Sequence, residues 1–108
     1  MKFNIETVLS DMLAAMKSTV SKDWKKLKPY AEQFLQNKKS RLVLIADLRI
    51  TGELNQEDFE SRLEDEKLIL EAELNALAVI SKAIVQNAVN SAMNILENAV
   101  KIAISAAI

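Results

Sequence analysis

Asp47 to Asp58 reads DLRITGELNQED and contains the only glycine in the chain. Gly52 is sixth in this stretch, Leu54 eighth, Asn55 ninth and Asp58 twelfth, which is the frame of a calcium loop between two helices. Calcium, however, needs oxygen ligands at the third, fifth and twelfth places as well as the first. The third place holds Arg49, a cation aimed at the ion, the fifth holds Thr51, and the twelfth holds an aspartate shorter than the usual bidentate glutamate. No metal ligand is assigned here. The same residues make a helix stop followed at once by a helix start. Arg49 suits the negative end of a first helix, and Gly52 supplies the left-handed closing residue. Asn55 is a good N-cap, and Leu54 and Phe59 stand at the N′ and N4 places of a hydrophobic staple. Glu57, Asp58 and Glu60 then crowd the positive end of the second helix.

Outward from this corner, both flanks keep a helical period. Ile5, Leu9, Met12, Met16, Val20, Trp24, Leu27, Ala31, Phe34, Leu42, Ile45 and Leu48 recur in steps of three and four, and Lys38 fills the one missing place. Pro29 removes a backbone donor without changing the phase. Two readings remain open there: one bent helix, or two helices divided within residues 21–29. After Asn55 there is no glycine or proline, and Leu77, Ile80, Ile84, Ala88, Ala92, Ile95, Ala99, Ile102 and Ala106 continue the period. A second row (Val85, Val89, Met93, Leu96, Val100, Ala103) widens the apolar face. The expected fold is therefore all-α and a single domain over residues 1–108. It is a long antiparallel hairpin with arm one over about 4–51, a corner at 51–54 and arm two over about 55–106. An arm of about 50 helical residues would span about 75 Å.

The corner also resembles the short helix–turn–helix module called SHOCT, on Gly52, Leu54, Asn55, Asp58 and Phe59. The resemblance covers about 25 residues and departs at Leu63, where the module has a lysine. It implies a hairpin and carries no activity.

Composition narrows function. The chain has one glycine, one proline, no cysteine and no histidine. Thiol chemistry, the commonest general base and the commonest zinc ligand are thereby absent. No Gly-rich phosphate loop exists, and no serine has a histidine partner. The acids from Glu57 to Glu73 go round their helix, and a solvated face with pairs such as Glu64–Lys67 accounts for them. No catalytic residue and no cofactor is expected. Residues 1–50 carry ten Lys/Arg against five Asp/Glu, and residues 51–74 carry two against nine. A basic arm beside an acidic segment suits contact within or between chains and falls short of a nucleic-acid footprint. The basic run Lys22, Lys25, Lys26 and Lys28 reads as a wet connector flanking a core tryptophan, Trp24. The N-terminal stretch has no apolar run of the secretory kind, so a cytoplasmic protein is expected.

Arm two is unusual. From Asn75 to Leu96 its one charge is Lys82, and Asn87, Asn90, Asn94 and Asn98 form a polar stripe beside the wide apolar face. Ala88–Ala92 and Ala99–Ala103 are small-xxx-small pairs that let backbones approach closely. One partner arm covers one side of such a helix, so a second copy is expected to cover the rest. The expected interface is Ile84, Ala88, Asn90, Ala92, Asn94, Ile95, Ala99, Ile102 and Ala103. The expected function is a non-enzymatic structural or interaction protein, self-associating through its C-terminal helix into a bundle, with a dimer as the simplest form. Another helical protein is the other candidate partner, and no nucleic acid is expected. The alternative is a small membrane-active protein, pore-like or holin-like, using residues 76–108.

Overall fold

A computed structural model describes residues 3–77 and 80–107 of the chain. These residues are all-α, with no strand among them. In order they form α1 (Ile5–Val20), a 3-10 turn (Ser21–Asp23), α2 (Trp24–Ile50), α3 (Gln56–Ala76) and α4 (Lys82–Ala107). The molecule measures 42 × 22 × 20 Å. Helix α2, with 27 residues, is about 40 Å long at 1.5 Å per residue and so runs its full length.

That length corrects the long hairpin. Arms of about 75 Å cannot fit, and each half folds back on itself to give a four-helix bundle. Neighbours in sequence pack side by side, and α1 closes the ring by packing most extensively on α4. Thr19 meets Ser91 near one end, while Thr7 lies beside Ile102 near the other, so α1 and α4 run antiparallel. Helices α2 and α4 touch across the core, whereas α1 and α3 occupy opposite corners without contact among the described residues.

Of the two readings open over residues 21–29, the divided one holds: the first break falls at Ser21–Asp23, and Pro29 lies beyond it. Asn4 caps α1, its Oδ1 accepting from the backbone N–H of Glu6 and Thr7 at 3.0 and 3.2 Å. Ser21 ends it with φ 62° and ψ −118°. Pro29 sits inside α2. Its ring costs the bond to the Lys25 carbonyl, but both residues are exposed, so water can serve that carbonyl. The apolar rhythm passes through Pro29 because the helix does.

The second break, between α3 and α4, interrupts the arm expected over 55–106. Residues 78 and 79 lie outside the described chain. Ser81 starts α4: its Oγ accepts from the Ile84 N–H at 3.3 Å, and its carbonyl accepts from Val85 at 3.0 Å. Among the flanking side chains Val85 is buried and Ile80 half-buried, the N4 and N′ places of a staple. Serine and a pair of aliphatics are a fainter start signal than a glycine or proline.

The core is a column of aliphatic and methionine side chains. Met12 and Met16 come from α1, Leu27, Leu35 and Leu42 from α2, Leu70 and Leu74 from α3, and Val85, Val89, Leu96 and Val100 from α4. All are at most 1% exposed. The wide face of α4 is thus covered by its own chain. Ala88 and Ala92, fully buried, are small enough to let α1 approach closely.

Candidate interaction surface

The α2–α3 corner is built as a stop and a start. The Gly52 φ is +87°, and its N–H bonds the Arg49 carbonyl at 3.2 Å. The Leu54 N–H returns to the Leu48 carbonyl at 3.0 Å. Asn55 Oδ1 accepts from the Asp58 N–H at 2.8 Å, and Leu54 and Phe59 are both buried. Arg49 reaches across the turn, its Nε donating to Gln56 Oε1 at 3.1 Å and a terminal nitrogen to the Leu54 carbonyl at 3.5 Å. Among the described residues no three acidic, histidine or cysteine side chains gather as a metal site.

A polar cluster lies within the α2–α3 seam. Lys38, 8% exposed, places its Nζ 3.3 Å from Oε1 of Glu66, itself 7% exposed, and 3.6 Å from Glu73 Oε1. Arg41 Nε stands 3.5 Å from the other Glu66 oxygen. Two cations thus face two carboxylates. Lys38 is the gap in the apolar rhythm of α2, and Glu66 is the acid that fills it. Glu66 departs from the solvated acidic face expected for α3, although Glu64 and Lys67 do pair at 3.6 Å. Lys39 pairs with Glu6 and ties α2 to the start of α1.

The nine residues expected to form an interface separate into three groups. Ala88, Ala92 and Ala103 are buried inside the monomer, where a second copy cannot reach them. Ile84, Asn90, Ile95 and Ala99 are half-buried. Asn94 is exposed, and Ile102 is the most exposed large hydrophobic side chain among the described residues, at 66%. Asn87 and Asn98 also face solvent. Asn90 lines a shallow cleft with Leu63, Lys67, Met93 and Glu97 between α3 and α4. Among the described residues the side-chain hydrogen bond that crosses from α4 to α1 belongs to Ser91, whose Oγ stands 3.0 Å from Thr19 Oγ1. The sequence reading singled out the asparagines and passed over this serine. A serine at helical spacing from alanines gives little sign of pairing by itself.

The outward surface of α4 is therefore uncharged over residues 83–96, with Glu97 its one acid. Beside it, α1 presents the small exposed residues Ala14 and Ser18. At the far side of the bundle Trp24 is half-buried against the core and the lysines around it are exposed. No described helix is long and apolar enough to cross a membrane. Comparison with protein-family models, curated proteins and solved structures finds no match to this chain, the SHOCT-like corner included.

Proposed function

We propose that this is a non-enzymatic, cytoplasmic interaction protein: a small helical-bundle subunit that self-associates through the outward surface of α4 and serves as an assembly or adaptor part. One observation carries the proposal. A solvated helix surface ordinarily gains from Glu/Lys pairs, yet α4 exposes Asn87, Asn94, Asn98 and Ile102 with Glu97 as the one acid near them. Covering the stretch before Glu97 desolvates no charge, and exposed Glu97 and Lys101 bound it on the C-terminal side. Ile102 supplies an apolar anchor, and the half-buried Ile95 and Ala99 extend it toward α1. The buried alanines serve the monomer instead, so the interface is narrower than the sequence pattern suggests. The absence of histidine and cysteine removes common catalytic groups and supports the non-enzymatic reading. Using α4 in a membrane would require the α1–α4 contact to open first, which makes that reading the weaker one.

Absolute mass by light scattering on a size-exclusion column, over a hundredfold range of concentration, tests this. A stable multiple of 12.1 kDa that falls to the monomer in Ile102→Asp is the expected result. A wild type that stays monomeric throughout would sink the proposal. A monomer that releases dye from liposomes would favour the membrane-active alternative.

A further inference from the structure

Two corners of the bundle are built differently. Gly52, the Asn55 cap and the buried Leu54–Phe59 pair hold the α2–α3 corner in one shape. The turn from α1 to α2 has no glycine or proline, and neither Val20 nor Asp23 caps it with a side-chain hydrogen bond. Helical bonding barely stops there. The Ser21 N–H still reaches the Lys17 carbonyl, and the Trp24 N–H bonds the Ser21 carbonyl in the 3-10 turn. Val20 and Trp24 keep right-handed helical angles, and Asp23, at φ −89° and ψ 4°, lies within about 50° of them. Ser21 is the clear departure, with φ 62° and ψ −118°, where a residue other than glycine is strained. The apolar rhythm crosses this turn unbroken. Met16, Val20, Trp24, Leu27 and Ala31 follow in steps of four and three, the spacing of one continuous helix. A turn that only reversed the chain would not need that phase.

We infer that α1 exchanges between two copies: Ser21 straightens, α1 and α2 join into one helix, and the α1 of each copy packs on the α4 of the other. The joined helix runs from Ile5 to Ile50, about 69 Å at 1.5 Å per residue. The fold itself names the occupant, because the surface that one α1 leaves is the surface that the other α1 already fits. An open monomer would expose Val8, Leu9, Met12, Met16 and Val20, and exchange covers them again. The Thr19–Ser91 and Lys39–Glu6 contacts re-form between chains. Since α1 lies beside α2 in the bundle, the two joined helices run antiparallel side by side, and the pair closes on itself. Both forms keep the same contacts, so their balance rests on the strained turn and on concentration. The inference goes beyond association through the outward surface of α4 and does not need it, because exchange uses the inward surface of α1.

The chain has no cysteine, so an introduced disulfide reports the exchange without competition. Thr19 and Ser91 bring their side-chain oxygens to 3.0 Å between α1 and α4, and Thr19→Cys/Ser91→Cys places a bond there. In the closed monomer that bond lies within one chain; after exchange it links two. The protein would be concentrated, warmed briefly to let α1 open, cooled, oxidised and run on a denaturing gel without reductant. The expected result is a covalent dimer whose share rises with concentration. Light scattering on Ser21→Ala and Ser21→Gly, without the cysteines, gives a second reading. Alanine favours the joined helix and glycine the turn, so the dissociation constant should be about tenfold lower for Ser21→Ala. Bonds confined within single chains at every concentration would overturn the exchange. If scattering still showed a dimer in that case, association through the outward α4 surface would stand without it. Interchain bonds that persist in Ile102→Asp would uphold the exchange and remove the outward-surface reading. Should the cysteine pair fail to oxidise, equal dissociation constants for the two Ser21 variants, or monomers in both, would overturn the exchange by themselves.

Discussion

Lys38 and Glu66, from the basic and the acidic parts of the chain, meet inside the α2–α3 seam with Nζ 3.3 Å from Oε1. Both are nearly withdrawn from water, so each depends on the other to offset its desolvation. Lys38→Met should destabilise the fold by about 3 kcal/mol, because it leaves Glu66 buried with only Arg41 beside it. The double variant Lys38→Met/Glu66→Leu should recover most of that loss. Urea unfolding of the three proteins measures the coupling. Equal losses in the single and double variants would mean that the pair is not a closed unit.

Gly52 marks the corner for a conformational reason alone. Its φ is +87°, and a Cβ built there meets nothing within 4 Å. Gly52→Ala should therefore cost about 1–2 kcal/mol through left-handed backbone strain, without a packing term. Gly52→Asn should cost less, since asparagine tolerates this region better. A larger loss for asparagine than for alanine would point to a steric limit that the open space around Gly52 does not provide.

Ser21 is the opposite case, a non-glycine residue holding φ 62° and ψ −118°. These angles belong to the first central position of a type II′ turn, where glycine is favoured. Ser21→Gly should raise stability by about 1 kcal/mol by relieving that strain. Thermal unfolding would reveal it as a higher midpoint. A lower midpoint would show that the entropy glycine adds to the unfolded chain outweighs the strain.

The corner was legible because a lone glycine beside a cap and staple has few helical explanations. The gap at Lys38 was visible as a break in the apolar rhythm, but its partner was not, because Glu66 stands in a run of acids that reads as a solvated face. Of the two breaks that turn a hairpin into a bundle, the first lies within the 21–29 stretch where a division was one of two open readings, and the second had no such sign. Ser21 ends α1 in a conformation that serine seldom adopts, and Ser81 starts α4 with no breaker before it. Periodicity also reports how wide an apolar face is and leaves open what covers it. Here α1 covers α4, so residues that suited a second copy are spent within the chain.

The cover of α4 by α1 leads to a contrast between two positions two residues apart. Ala92 is fully buried, and Asn94 is exposed on the outward surface. Ala92→Leu inserts a large side chain where the backbones approach closely and should cost about 1–3 kcal/mol by overpacking. Asn94→Leu should change monomer stability by no more than about 0.5 kcal/mol, as surface substitutions usually do. Denaturation at a concentration low enough to keep the protein monomeric separates these effects from association. If Ala92→Leu were harmless and Asn94→Leu costly, α4 would present the other side of its helix to the core.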